Sequence, residues 1–195
     1  MTTVHVVIDG ADVALDDHDV IGEGGEARVY ACGKDVVKLF HPAPAALTTL
    51  RTKKLQQLST LTLPPQVVAP TALATDGAGR VVGYRMRRVV DAVDLARLAR
   101  PAMKALCDQN AVLALFRALL STVTQLHAAG VVVGDCNDGN VVVGDGGRGD
   151  AFVIDADSMQ VGALPCPVAH ERFLDPRLYG VSLVDNAVFS ADTDL

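Results

Sequence analysis

Gly134-Asp135-Cys136-Asn137-Asp138-Gly139-Asn140-Val141-Val142-Val143 is the stretch whose reading decides the fold. Asp135 and Asn140 flank a turn of small and polar residues, and a β-branched run follows. Downstream, Phe152-Val153-Ile154-Asp155-Ala156-Asp157-Ser158 is a second apolar strand with an acid, Asp155, at its tip. Three oxygen-bearing side chains thus sit at the ends of short strands and loops. Hard divalent cations take oxygen ligands, and such a set can orient a hydroxyl towards a nucleotide phosphate. Taken singly, each residue fits a plain turn equally well, since Asp, Asn and Gly are ordinary turn formers. Phosphate chemistry also needs a phosphate loop and a cation elsewhere in the chain.

Both candidates lie upstream. Gly22-Glu23-Gly24-Gly25-Glu26-Ala27-Arg28-Val29 has glycines where backbone N–H groups can approach phosphates without a Cβ in the way. Alone, the pattern serves a hairpin turn as well. Its place between two strand-like runs favours the phosphate loop. Lys38, in Val36-Val37-Lys38-Leu39-Phe40, ends the third strand of that series. By itself it is one outward charge on an amphipathic strand. On a hairpin partner of Val29 it is placed to reach the α- and β-phosphates.

The rest of the first half also reads as strands, at residues 4–8, 67–73 and 81–86, with turns at Asp9-Gly10 and around residues 16–19. A helix is predicted over residues 45–61, stopped by Pro64-Pro65. The second half reads as a short helix at 91–100 and a long one at 105–129. In the long helix, Val112, Phe116, Leu119, Val123 and Leu126 recur at steps of three and four, and Gly130 provides the stop. Short strands are predicted at 131–133, 141–143 and 151–154, and irregular chain from 157 onwards. Strands first and helices later predict an α+β chain: a sheet-rich lobe over 1–88 and a helical lobe over 89–195.

Composition narrows the classes. Of 195 residues, 50% are hydrophobic and only 4% aromatic, with no Trp, so the core must be Val, Leu and Ala. A net charge of −6 opposes non-specific nucleic-acid binding but leaves ATP binding open, which needs only local positive charge. Cys32, Cys107, Cys136 and Cys166 form no Cys-x-x-Cys pair, so no zinc site is expected. The N-terminus is not a signal peptide, and no unbroken apolar run reaches membrane-spanning length. The expectation is a cytoplasmic protein with reduced thiols and no membrane span.

Residues 22–29, Lys38, a helix ending in Leu126-His127-Ala128-Ala129-Gly130, Asp135, Asn140 and Asp155 occur in the order found in the protein-kinase superfamily. The chain most resembles a bacterial kinase family often followed by a helix-hairpin-helix DNA-binding region. Its phrases GDxNxxNxLV, IDxDSFQ and PCPVG are matched here by residues 134–143, 154–160 and 165–169. The resemblance runs from about Ile21 to Leu195. It implies a two-lobe fold with ATP and Mg²⁺ between the lobes (Mn²⁺ as an alternative metal) and a protein substrate. It implies Asp135 as base and Lys38 as the phosphate lysine. Nucleotide contacts would come from Gly22, Glu23, Gly24, Gly25, Val29, Val36, Met86 and the hinge Arg87, Arg88 and Val89. Asn140 and Asp155 would hold the metal, with Asp157 a further candidate.

Departures from that pattern are specific. Val133-Gly134 replaces the His-Arg before the base, so no cation awaits a phosphorylated loop. Asn137 replaces a lysine that screens the γ-phosphate. Asp157 replaces the Gly of Asp-Phe-Gly, and Arg177 replaces the Glu after Pro176. The helix at 45–61 carries no acid to pair with Lys38, leaving Gln56 or Gln57 as the nearest substitutes. Asp194 fits the Asp that opens the central helix of the large lobe, and the chain stops there. Self-association through the helix at 105–129, or an irregular tail, is expected to cover its apolar stripe. Three functions follow: a serine/threonine kinase-like phosphotransferase, a pseudokinase that binds nucleotide without turnover, or a small-molecule phosphotransferase.

Overall fold

In a computed structural model, which describes residues 3–104 and 108–194, the chain is α+β and divides into two compact units. The first comprises Met1–Thr60 and Ala69–Arg88, the second Leu61–Val68 and Val89–Leu195.

The first unit is a curled antiparallel sheet of seven strands, ordered β2-β1-β6-β7-β5-β4-β3. The strands are β1 (Thr3–Ile8), β2 (Ala11–Asp16), β3 (Val20–Glu23), β4 (Ala27–Cys32), β5 (Asp35–Phe40), β6 (Pro70–Thr75) and β7 (Val81–Arg87). Asp9 and Gly10 both adopt positive φ, 50° and 79°, which is the two-residue turn whose twist suits a hairpin. One sheet face builds the core: Val6, Ile8, Leu15, Tyr30, Val37, Leu39 and Ala74 pack together. These residues alternate with the others along each strand, as the pleat requires. Gly83 on β7 lies opposite Leu39 of β5. A Cβ there would collide with the Lys38 carbonyl, so glycine is needed for the two strands to pair.

Helix α1 (Ala45–Leu58) is three residues shorter than the sequence pattern predicts. The hydroxyls of Ser59 and Thr60 donate to the carbonyls of Gln56 and Gln57, each at 2.7 Å, and so close the last turn. Strand β6 begins at Pro70 rather than at Val67. Val67 and Val68 belong to the second unit, where Val68 N–H donates to the Val153 carbonyl at 2.8 Å.

The second unit holds β8 (Val93–Asp94), α2 (Leu95–Leu98), α3 (Pro101–Lys104), α4 (Gln109–Ala128), β9 (Val131–Val132), β10 (Val141–Val143), β11 (Ala151–Val153) and β12 (Gln160–Val161). Strands pair as β11-β10-β8 and β12-β9. The single helix predicted at 91–100 is instead a strand followed by a helical turn. Val93 pairs with Val143, and the Asp94 carboxylate caps α2 by accepting from Arg97 N–H at 2.6 Å. From residue 157 onwards, β12 and short 3₁₀ turns punctuate irregular chain.

Asp108 caps α4 through Ala111 N–H at 2.8 Å; the start predicted at Ala105, and Cys107, lie outside the described residues. The buried face of α4 is rotated from the predicted one. Leu115 and Leu119 pack on Val141, Val143 and Ala151, while Thr122, Val123 and Leu126 are buried. Val112 and Phe116 are exposed instead, at 41% and 54%. By length and composition α4 is apolar enough to cross a membrane, since Arg117 is its single charged residue. The core helix of a globular unit can have the same composition, but of this apolar window only 17% is buried, at Thr122, Val123 and Leu126.

Candidate functional site

Strand register in the first unit explains where the nucleotide residues expected from the sequence fall. Gly22 pairs with Val29, Val29 with Lys38, and Lys38 with Tyr84. Directly paired residues share a sheet face, and so do residues two apart on one strand. Val29, Val36, Lys38 and Met86 therefore all lie on the face opposite the core, with Val36 paired to Met86. Arg87 closes β7, and Arg88 and Val89 follow it. Lys38 is buried at 7% exposure, its Nζ 5.9 Å from the Phe40 ring centre and 6.0 Å from that of Tyr84.

The glycine-rich turn has a telling geometry. Gly24 and Gly25 do not adopt positive φ, and a Cβ on either would meet open space. Neither backbone strain nor crowding within the unit requires glycine there. A residue without a Cβ leaves the backbone of this turn open to close approach. Glu23 is held by Arg28, whose Nε donates to Oε1 at 2.8 Å and whose guanidinium is thereby kept more firmly charged.

Helix α1 overturns one expectation. Gln56 and Gln57 are exposed and do not face the sheet. The buried residues of α1 are Arg51, Lys54, Leu55 and Leu58. Where an amide was expected to face inward, the buried polar residues of α1 are Arg51 and Lys54.

In the second unit, Asp135 and Asn140 come together. The Asn140 amide donates through Nδ2 to the Asp135 carbonyl at 3.0 Å and to its carboxylate Oδ2 at 3.1 Å. Both bonds use the amide nitrogen of Asn140. Ile154 N–H donates to the Asn140 carbonyl at 2.9 Å, which brings the strand end bearing Asp155 alongside. Asp155 adopts φ 65°, a left-handed conformation that Asp tolerates better than most residues. Ser158 closes the turn onto the Asp155 carbonyl through its N–H and its hydroxyl, at 3.0 and 2.8 Å. Asp157 is buried at 3% exposure. Asn137 builds the loop: its Oδ1 accepts from Gly139 N–H at 2.8 Å and Asn140 N–H at 3.2 Å.

Two groups position this loop. The Asp194 side chain, 0% exposed, accepts from Val133 N–H at 2.7 Å and Gly134 N–H at 2.8 Å, and bonds His127 Nε2 at 2.8 Å. On the other side, His170 N–H donates to Asp135 Oδ1 at 2.8 Å. Gly134 has φ 70°, and a Cβ there would lie 3.0 Å from the Cys166 side chain and 3.2 Å from Phe189. Gln160 fixes Phe189 by bonding its carbonyl at 2.7 Å and its N–H at 3.0 Å. Burial, reinforced by the charges of Asp194 and Asp135, pushes the Cys136 thiol up to about 11. The role of His170 was not foreseen, because a backbone donor carries no residue-type signal.

A trio elsewhere, Asp16, His18 and Asp19, lies within metal-ligating reach. Asp16 accepts the Thr3 hydroxyl and Asp19 accepts the Asp16 N–H, so the acids cap a turn.

Similar known proteins carry the name protein kinase. The chain is 28% identical over 170 residues to protein kinase YegI of Escherichia coli O157:H7, and to the same extent to protein kinase YegI of Escherichia coli strain K12. The match covers 81% of this chain and 26% of either relative, so the chain spans about a quarter of the length of the curated relatives it matches. No family model matches the chain.

Proposed function

We propose that the chain is an ATP- and Mg²⁺-dependent phosphotransferase of the protein-kinase type, acting on Ser or Thr hydroxyls of a protein. The first unit is then the sheet-rich N-lobe and the second a part of the C-lobe. The observation that carries this reading is the hydrogen-bonded pair Asp135–Asn140 beside the strand end that bears Asp155. The donor set suits a hard cation, being carboxylate and amide oxygens with no thiol or imidazole. Bound Mg²⁺ would supply charge neutralisation at the transferring phosphoryl group.

Each residue has a distinct part. Asn140 Oδ1 and the Asp155 carboxylate hold the metal, with Asp157 as a further acidic group. Lys38 holds the α- and β-phosphates. Gly24 and Gly25 admit the phosphates to backbone N–H groups. Val29, Val36 and Met86 offer an apolar surface to the base, and residues 87–89 offer backbone groups to its edge. Asp135 orients the acceptor hydroxyl and takes its proton. The chain works in the cytoplasm, with ATP and a protein hydroxyl as its partners.

A second reading, a pseudokinase, has one observation in its favour. Helix α1 carries no acidic residue, and its buried polar side chains are Arg51 and Lys54. Labelled ATP with Mg²⁺, offered to the protein and to Asp135→Ala, separates the two. Transfer lost in the variant supports the enzyme. Nucleotide-dependent thermal stabilisation without transfer supports the pseudokinase. Absence of both would overturn each reading.

A further inference from the structure

Between α1 and the glycine-rich turn runs a set of contacts that the nucleotide site does not itself need. Arg51 Nη2 lies 3.0 Å from Glu26 Oε2, with the Arg51 side chain 9% exposed and that of Glu26 42% exposed. The Arg51 guanidinium carbon also lies over the Phe40 ring, 4.6 Å from its centre, a cation–π contact. One half-desolvated partner makes this pair stronger than two fully exposed ions. His41, next to Phe40, adds two bonds. Its N–H donates to the Glu26 carbonyl at 2.8 Å, and its Nε2 bonds the Gly24 carbonyl at 3.0 Å. A carbonyl only accepts, so the His41 ring carries its proton on Nε2.

We infer that Arg51 and His41 are positioning residues for the phosphate loop, so that α1 acts on nucleotide affinity through Glu26 and Gly24. The inference rests on the reading of residues 22–29 as that loop. The physical cause is preorganisation. A glycine-rich turn loses much backbone freedom when it closes on a ligand, and three tethers remove part of that loss in advance. The same strand supplies both ends of the arrangement: Lys38 and Phe40 share a face of β5, with Lys38 Nζ and Arg51 both directed at the Phe40 ring. A shift of α1 thus reaches the loop through Glu26 and the lysine through Phe40. A cavity of about 340 Å³ borders Phe40, His41 and Arg51, leaving that side of the tether unpacked.

Calorimetric titration with ATP·Mg²⁺ tests this on the full chain. Glu26→Gln and His41→Ala alter exposed or half-exposed groups and should each weaken binding by roughly 3–10-fold. In His41→Ala the turnover rate at saturating ATP should stay within about twofold, because no reacting group is touched. Arg51→Glu should weaken binding similarly, and Arg51→Glu with Glu26→Arg should recover most of the loss. Binding within about twofold of the unsubstituted protein in Glu26→Gln and His41→Ala would overturn the inference, whether or not Arg51→Glu folds. A swap as weak as the worse single variant would also overturn it. If the unsubstituted protein binds neither ATP nor ADP, the nucleotide reading itself fails. Amide exchange at residues 24–26 then decides the tether: faster exchange in Glu26→Gln upholds it, and unchanged exchange overturns it.

Discussion

The backbone N–H of His170 donates to Oδ1 of Asp135 at 2.8 Å, while the Asn140 amide holds Oδ2 at 3.1 Å. The carboxylate is thereby fixed at both oxygens, and one of the two anchors comes from the main chain. His170 has φ −80°, which proline also adopts. With Asp135 as the base proposed above, His170→Pro deletes the donor and should lower the phosphoryl-transfer rate by roughly tenfold or more, because small displacements of a base are costly. His170→Ala keeps the N–H and should retain most of the rate. Steady-state kinetics of the two variants, side by side, check this.

Asp194 accepts three hydrogen bonds in a buried setting, two of them from the loop that carries Asp135. Asp194→Asn would turn an amide donor towards N–H groups that need an acceptor. Urea unfolding should show a loss of about 2–4 kcal/mol, since bonds to charged groups are the strong ones and unmet donors are penalised.

Cys136 holds its proton more tightly when folded, at about 11 against an ordinary 9.0. The raised value contributes stability that is fully present below pH 9 and is lost as pH rises through about 11. Unfolding midpoints should therefore fall across that window, and fall less in Cys136→Ala. At about pH 8 the native thiol should alkylate slowly with iodoacetamide, and readily after unfolding, as read by mass spectrometry.

Asp155→Asn separates charge from backbone. Asn accepts the left-handed φ that this position requires, but cannot neutralise a divalent cation. Mg²⁺-dependent stabilisation by ADP should disappear. The melting temperature without ligand should move by roughly 4 °C or less, the equivalent of about 1 kcal/mol. Differential scanning fluorimetry reads both.

On α4, Val112, Leu113, Phe116 and Leu120 are 41–54% exposed and lie within three turns. Such a patch favours self-association. Light scattering should show a concentration-dependent increase in mass, reduced by Phe116→Lys with Leu120→Glu. A monomer at every concentration would count against it.

Sheet strands, turns and the polar loop at 134–140 were legible because period two and Gly, Asn and Asp turn chemistry are local signals. The buried face of α4 was not. The helix is apolar on several sides, so Leu115 and Leu119 were chosen by the strands they meet, Val141, Val143 and Ala151. Nor was the strand start at Pro70 legible: Val67 and Val68 are as strand-prone as their neighbours, but their partner, Val153, lies far along the chain. The inward face of α1 followed from packing too, with Arg51 aligned by Phe40 and Glu26 rather than by helix pattern.

Gly134 stands where the wider protein-kinase pattern has an arginine able to read a phosphorylated loop. Its backbone is left-handed, and the space its Cβ would need is filled by Cys166 and Phe189. Restoring the arginine by one substitution would meet strain and a steric block together, so Cys166 and Phe189 would have to retreat first. Packing around Gly134 thus leaves no room for a single substitution to build a phosphate-reading arginine at this position.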